Sequence, residues 1–439
     1  MILFTLIITG WGLWASFTTP IDAIPDLSDV QVILYTEWMG QSPQEIEDQV
    51  TYPLSTAMLA VPKVRAVRGY SFFSVSFVYV IFEDRTNLYW ARSRVLEYLN
   101  TLQGKLPAGV TPTLGPDATG VGWVYQYTVE GEGYSLGELR AIQDWYIRYQ
   151  LASVPGVAEV ASVGGFKKQY QVDLDPNKLI AYGIPINNVM MAIRNSNRQI
   201  GASMLELTET EFMVRGLGYF ESIEDIKDVV VSASPSGTPI SVRDIAYVYE
   251  GPEMRRGIAE KDGKGEVVGA TVVMRHGKNA LEVIKSVKQK IKEIEPGLPK
   301  GVKIVPVYDR TKLIYRAIDT LKETLIQESI IVVLVGVVFL WHLRSAFVSI
   351  ITLPLGILVS FIIMRLQGLN ANIMSLGGIV IAIGEMADAS IVMVENVHKM
   401  LEHEGEKRRN IWEIVTASSK QVGPSLFFSS LIIAVSFMP

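Results

Sequence analysis

Residues 372–396, NIMSLGGIVIAIGEMADASIVMVEN, place carboxylates inside an apolar run long enough to cross a bilayer, which needs about 20 residues. An α-helix turns by about 100° per residue, so one face carries Gly377, Ile381, Gly384, Asp388 and Glu395. A carboxylate in hydrocarbon is costly, and such residues mark proton or ion pathways. The segment therefore indicates a membrane helix that carries a functional acid.

Asp388 is the first candidate for a proton relay, and Glu385 is the second. Glycines on the Asp388 face allow another helix to approach closely, and a partner charge there would shift the pKa of the acid. Glu385 lies three residues before Asp388, so the two carboxyl groups could titrate as a pair. The alternative for Asp388 is a structural polar contact between helices, and for Glu385 it is exposure in a water-filled cavity. Glu395 and Asn396 are expected to cap the cytoplasmic end of this helix.

Apolar segments lie at both ends of the 439-residue chain, and the middle reads as a water-soluble domain. Basic residues near His342 and at Lys407, Arg408 and Arg409 place the adjoining loops in the cytoplasm. The large middle domain then lies in the periplasm, and the chain is a multi-pass protein of a bacterial inner membrane. We expect transmembrane helices at residues 1–17, 324–343, 347–366, 372–396 and 423–439, with the first and the last incomplete.

The composition excludes several classes of function. The chain has 49% hydrophobic and 19% charged residues with a net charge of −5, so no basic surface indicates nucleic-acid binding. It has no cysteine, which removes disulfides, thiolate metal sites and cysteine nucleophiles. No G-x-x-x-x-G-K-[ST] phosphate loop occurs, so ATP hydrolysis by this chain is not supported. A proton gradient is the remaining energy source.

The middle domain alternates between strand-like and helix-like hydrophobic periods, which predicts split βαβ units. The predicted fold class is an α+β membrane protein, with a transmembrane helical bundle and a large periplasmic domain of split βαβ (ferredoxin-like) subdomains. Strands are expected at 30–35, 75–82, 121–129 and 169–175, and helices at 43–60, 87–104 and 136–151.

Two short motifs occur twice and suggest that the units are duplicated. VPKVRAV at 61–67 matches VPGVAEV at 154–160, and LPAGV at 106–110 matches LPKGV at 298–302. Each copy follows a predicted helix, so turn chemistry is an alternative explanation.

The stretch AIGEMADASIVMVEN at 382–396 resembles the fourth-helix signature of resistance-nodulation-division transporters. Drug exporters of that family usually carry two adjacent aspartates there, and divalent-metal exporters typically show an Asp-Phe-Gly opening. The present pattern is similar to the heavy-metal efflux branch that exports monovalent copper and silver. Glu385 departs from it, because that branch places a small residue at this position. Further resemblance is carried by residues 19–31, 89–99, 115–123 and 251–258.

The resemblance implies a proton-driven efflux transporter, a secondary carrier and not an enzyme, of which this chain is the N-terminal half. It implies a homotrimer in membrane lipid, joined by a periplasmic adaptor protein and an outer-membrane channel, with no resident cofactor. The implied subdomains are PN1 at 18–115, PN2 at 116–175 and 263–323, an inserted docking subdomain (DN) at 176–262, and a cytoplasmic amphipathic segment at 397–422.

Methionine is the only soft ligand in a chain without cysteine, and Cu(I) and Ag(I) prefer thioether sulfur. The resemblance implies that Met374 and Met386 belong to a thioether path for the transported ion. Composition alone favours methionine as ordinary filler of apolar helices. The pair Met190 and Met191 is expected in the core of a soluble helix.

Two alternatives stay open. The same fold could export divalent metals or organic solutes. If the chain were complete at residue 439, a membrane-anchored periplasmic binding or sensing protein would fit as well.

Overall fold

The first of two four-stranded antiparallel sheets follows an apolar helix. The computed structural model describes residues 2–102, 104–207, 210–255, 257–340, 343–404 and 411–436, so His342, Lys407, Arg408 and Arg409 lie outside the described residues. The sheet order is β2-β3-β1-β4. The elements are α1 (Ile2–Thr18), β1 (Gln31–Glu37), α2 (Pro43–Ile46), α3 (Tyr52–Met58), β2 (Val64–Phe72), β3 (Val75–Phe82), α4 (Leu88–Asn100) and β4 (Thr113–Leu114).

Alternation of side chains explains why one face of this sheet is covered. Val32, Leu34 and Thr36 of β1 are buried, while the residues between them are only partly covered. Helices α3 and α4 pack on the buried side. The Asn87 side chain accepts a 3.0 Å hydrogen bond from the Trp90 backbone and so begins α4.

The second sheet, in the order β14-β5-β13-β6, is interrupted in sequence by an inserted subdomain. Before the insert come β5 (Trp123–Glu130), α5 (Leu136–Ile142), α6 (Arg148–Ala152) and β6 (Val157–Gly164). The insert comprises β7 (Lys168–Leu174), α7 (Pro176–Tyr182), α8 (Ile186–Ser196), β8 (Ile200–Leu207), β9 (Thr210–Gly216), α9 (Ile223–Lys227), β10 (Val230–Ala233), β11 (Pro239–Ser241), α10 (Val242–Ile245) and β12 (Ala246–Pro252). The chain then returns through β13 (Val268–Met274), α11 (Ala280–Ile294) and β14 (Lys303–Asp309).

The two sheets have the same topology, which confirms the predicted duplication. Numbered within its own unit, each sheet has the strand order 2-3-1-4. The repeated motifs occupy equivalent connections, from first helix to second strand and from second helix to fourth strand. In the first motif Lys63 and Gly156 both have a positive φ, at 62° and 91°. In the second motif Gly109 and Gly301 do, at 82° and 87°, a conformation that glycine adopts without steric cost.

The strand predicted at 169–175 is confirmed as β7, but it does not join the second sheet. β7 pairs instead with β12 in a separate antiparallel ribbon of the insert. The sheet strand is β6, whose Val157 and Val160 are buried in the core, whereas β7 leaves Tyr170 exposed. Strand pairing therefore connects β7 to the end of the insert.

Four long helices complete the fold: α12 (Thr311–Leu340), α13 (Leu343–Gln367), α14 (Ile373–Glu404) and α15 (Ile411–Ser436). α14 contacts α12, α13 and α15, and α1 packs on α13. α14 ends eight residues beyond residue 396, and α15 begins before residue 423, so both helices extend beyond the spans predicted there. Within the described ranges, Ile373–Glu402 is the one helix long and apolar enough to cross a membrane, with Leu3–Thr18 and Ile351–Gln367 as shorter apolar helices.

A buried ion pair joins the helices to the second sheet. Arg310 directly precedes α12, and its Nη1 atom lies 3.3 Å from Oδ1 of Asp22. Both side chains are less than 10% exposed. Arg310 also donates from Nη2 to the Trp123 carbonyl at 2.8 Å. The backbone of Asp22 donates to the Ala371 carbonyl, and Ile373 donates to the Ala23 carbonyl. The segments that precede α12 and α14 are thus held by the segment that follows α1.

We predict that Arg310→Met lowers the free energy of unfolding by about 3–5 kcal/mol, because it leaves the buried Asp22 carboxylate without a counter-charge. The double variant Asp22→Leu/Arg310→Met should regain most of that loss. The control is Lys322→Met, whose partner Asp319 is 3.9 Å away and exposed, with an expected effect below about 1 kcal/mol. Denaturant titration of the solubilised protein measures all three. Equal losses for Arg310→Met and Lys322→Met would contradict the assignment.

A second carboxylate of the same connecting segment pairs with a histidine. Oδ2 of Asp26 lies 3.7 Å from Nδ1 of His276 and accepts a 2.7 Å hydrogen bond from Thr119. Burial opposes ionisation of Asp26, but His276, Thr119 and Ser28 hold its pKa well below the usual range. Asp26 in turn raises the pKa of His276, against a smaller opposing effect of partial burial.

This pair predicts a pH-dependent stability. The contribution of His276 to the free energy of unfolding is complete below its pKa in the unfolded chain, about 6.5. It is lost as the pH rises through the raised pKa of the folded protein. The contribution of Asp26 is present above about pH 4 and is lost only as the pH falls through its lowered pKa. The melting temperature should therefore decrease as the pH is raised from about 6 to 8, and His276→Asn should make that decrease smaller. An unchanged slope in His276→Asn would exclude the pair as its cause.

Candidate ion-relay site on helix α14

Helix α14 begins at a point fixed by the fold. Oδ1 of Asn372 accepts hydrogen bonds from the backbone of Met374 and of Ser375, each at 3.0 Å, and Asn372 is buried. Such a side-chain cap satisfies backbone donors that the first turn leaves without partners. Because Ile373 also donates to the Ala23 carbonyl, the junction with the second sheet sets where the helix starts.

One face of α14 packs against the other helices. Leu376, Ile379, Ile383 and Ala387 recur at helical spacing and are all buried. They contact a cluster that includes Val332 of α12 and residues of α13. This stripe fixes the rotation of α14, and therefore which side chains the helix turns away from its neighbours.

Asp388 lies near the middle of α14 and is exposed. Ile381 on the same face is 58% exposed, and a Cβ built on Gly377 or Gly384 would meet nothing within 4 Å. The close helix neighbour predicted for this face is therefore absent among the described residues. The acid and the glycines form an open surface on the side of α14 away from the buried stripe.

Glu385 has a different environment from Asp388. It is half-buried, and Oε1 accepts a 3.2 Å hydrogen bond from the hydroxyl of Ser430 on α15. Among the hydrogen bonds of the described residues, none joins Glu385 to Asp388. The two acids are thus adjacent on the helix surface but face different surroundings, with Glu385 towards α15 and Asp388 outwards.

Met374 and Met386 are not brought together by the structure. Met374 lies in the first turn of α14 and is 68% exposed. Met386 is half-buried and packs where Gly356 of α13 has no side chain: a Cβ there would clash with the Met386 sulfur. Twelve residues of helix separate the two sulfurs by about 18 Å along the axis. They cannot bind one ion together, and each would need other ligands.

Sequence reasoning missed several contacts around this site. Asn396, expected at the helix end, lies inside α14 and donates from Nδ2 to Oγ of Ser418 on α15 at 2.8 Å. Glu395 forms a 2.6 Å ion pair with Lys399 one turn later. The polarity of Ser418 and Ser430 was a weak signal in α15, because serines are common in apolar helices and their partners lie far away in sequence.

The site offers acids and thioethers but no assembled metal centre. In the part of the chain that the structure describes, no group of three or more His, Cys, Asp or Glu side chains could hold a metal ion. Met190 and Met191 were predicted to be core residues; both are more than half exposed on α8, so that prediction was wrong. What α14 presents is an exposed carboxyl group, Asp388, on an apolar helix.

The comparisons with known proteins agree on one family. The model of the AcrB/AcrD/AcrF family matches residues 1–439. The chain is 55% identical to the putative cation efflux system protein SilA of Salmonella typhimurium and to the cation efflux system protein CusA of Escherichia coli, each over 99% of the chain. It is 38% identical to the cobalt-zinc-cadmium resistance protein CzcA of Cupriavidus metallidurans over 98% of the chain.

A solved structure supports the same relationship. The crystal structure of a heavy metal efflux pump superimposes with a TM-score of 0.85 at 31% identity, covering 100% of this chain and 43% of that one. The chain spans 42% of the length of the three curated relatives.

Proposed function

Because the chain belongs to the AcrB/AcrD/AcrF family of resistance-nodulation-division transporters, we propose that the complete protein exports Cu(I) or Ag(I) in exchange for protons. The observation that carries this proposal is Asp388, an acid on the exposed face of the one described helix that is long and apolar enough to cross a membrane. A carboxylate there is costly in lipid unless it is protonated or paired, which makes it suited to taking up and releasing a proton. Glu385 is the second relay candidate.

The proposed setting is the inner membrane, with α1 and α12–α15 as spans and the two sheets with their insert in the periplasm. The sheets then form the subdomains PN1 and PN2, and the insert forms the docking subdomain. The proposed assembly is a homotrimer with a periplasmic adaptor protein and an outer-membrane channel, and the protein is a secondary transporter and not an enzyme. The open face around Asp388 leaves room for a partner helix, which we propose comes from another part of the complete protein.

Met374 and Met386 are proposed as successive thioether positions for the transported ion. Their separation along α14 favours stepwise transfer over a single site. Thioether sulfur selects soft monovalent ions, which agrees with the resemblance of residues 382–396 to the branch that exports copper and silver.

A second candidate cargo is a divalent metal, favoured by the 38% identity to the cobalt-zinc-cadmium resistance protein. The double variant Met374→Leu/Met386→Leu distinguishes the two candidate cargoes. Export of a soft ion should fall sharply in that variant, whereas export of a divalent ion should be unchanged.

We predict that Asp388→Asn in the complete protein reduces proton-coupled Ag(I) transport into inverted membrane vesicles to the level of vesicles without it, because the amide cannot bind and release the proton. Glu395→Gln is the control on the same helix, and it should keep substantial transport because Glu395 is already paired with Lys399. Silver flux and proton flux are measured together. Full coupled transport by Asp388→Asn would reject the relay.

A further inference from the structure

Helices α1 and α13 end at the same level of the molecule. The backbone of Ala371, beyond α13, donates a 2.9 Å hydrogen bond to the carbonyl of Pro20, beyond α1, and Ile21 forms a β-bridge with Ala371. Trp14 lies six residues before Pro20, and Arg365 lies six residues before Ala371. Because α1 also packs on α13, these two side chains lie close together near the ends of neighbouring helices.

Arg365 lies over the ring of Trp14. Cζ of Arg365 is 5.8 Å from the centre of the ring, which is within the range of a cation–π interaction. Both side chains remain exposed, Trp14 by 54%. A guanidinium group over a ring keeps the N–H donors in its own plane, where two oxygen atoms of one anion can accept them. The contact therefore orients the guanidinium group without using its hydrogen-bond donors.

The charge of Arg365 has no counter-ion among the residues that the structure describes. Asp22, the acid of the adjoining segment, is bound to Arg310. Arg365 lies in the last turn of α13, where the helix dipole favours a cation. That attraction accounts for a basic residue at this position, but it makes no use of the ring of Trp14. An anion from outside the chain would use both side chains.

The surface next to this pair is apolar. Phe17, Leu366 and Leu369, at the ends of the two helices, are each more than half exposed. Exposed apolar side chains that lie together indicate contact with protein or membrane. Tryptophan and arginine are typical of the boundary between lipid and water, where the apolar part of the side chain meets acyl chains and the polar part meets headgroups. One cation beside an apolar surface matches a phospholipid, which carries its phosphate next to its acyl chains.

We propose that Arg365 and Trp14 bind the phosphate group of an anionic phospholipid on the periplasmic side of the membrane, with the acyl chains against the apolar ends of α1 and α13. The guanidinium group matches the geometry of two phosphate oxygens. Phosphatidylglycerol suits the site because its net negative charge is not offset, whereas phosphatidylcholine carries an ammonium group of its own. The site rests on the proposed placement of α1 and α13 in the membrane and is independent of the ion relay.

The test is native mass spectrometry of the complete solubilised protein, titrated with phosphatidylglycerol or phosphatidylcholine. The first phosphatidylglycerol should bind more tightly than the first phosphatidylcholine. Arg365→Gln should weaken binding of that phosphatidylglycerol by about fivefold, the attraction expected between one basic residue and anionic lipid, and should leave phosphatidylcholine unchanged. Arg365→Lys should give an intermediate affinity, because it keeps the charge and loses the paired donors.

Two further variants separate this site from a general effect of charge. The matched control is Arg316→Gln, which removes an exposed arginine of α12 ahead of the apolar part of that helix and should leave the affinity unchanged. Trp14→Leu changes no charge, yet it should weaken phosphatidylglycerol binding because the ring that orients Arg365 is lost.

Equal affinity for phosphatidylglycerol in the wild type and in Arg365→Gln would overturn the site. Displacement of the lipid by excess inorganic phosphate would overturn it as well, because it would assign Arg365 to a free anion. Asp388→Asn should bind phosphatidylglycerol as the wild type does, since Asp388 lies on α14. Failure of the proposed transport and failure of this site are therefore distinguishable.

Discussion

The structure depends on one buried ion pair at the meeting point of helices and sheets. Asp22 and Arg310 come from segments almost 300 residues apart, and neither side chain is more than 10% exposed. Burying the two charges costs free energy that only their mutual attraction and further hydrogen bonds offset. Arg310 therefore also binds the Trp123 carbonyl, and the Asp22 backbone binds Ala371. The pair fixes the register between the start of α14 and the second sheet.

That constraint bears on the acid of α14 through the helix itself. The cap at Asn372 fixes the first turn, and the buried stripe of α14 fixes its rotation. Asp388 then faces away from α12 and α13 by geometry and not by chance. Backbone hydrogen bonds from Asp22 to Ala371 and from Ile373 to Ala23 connect the start of α14 to the segment that Arg310 holds against the second sheet. The helix that carries the proposed relay is therefore attached directly to that sheet.

Much of this organisation could be predicted from the sequence, because it depends on patterns of residues that are close together in the chain. The apolar run around Asp388 predicted a long helix, and repeated turn motifs predicted two equivalent units. What failed depended on contacts between distant residues. Residues 169–175 alternate like a sheet strand, but only pairing shows that β7 belongs with β12. Met190 and Met191 were expected in a core because the sequence does not show which face of α8 is covered.

The residues of the candidate site could be predicted from the sequence, but the side chains that surround them could not. Asp388 and Glu385 were found because acids are conspicuous in an apolar run. Their different environments follow from Ser430, which lies 45 residues further along the chain.

The central claim is that the carboxyl group of Asp388 changes its protonation as the cation moves. Infrared difference spectroscopy of the complete protein, recorded on addition of Ag(I), observes carboxyl groups directly. The account predicts a protonated-carboxyl band that changes on Ag(I) addition and is absent from the difference spectrum of Asp388→Asn. An identical difference spectrum in wild type and Asp388→Asn would contradict it.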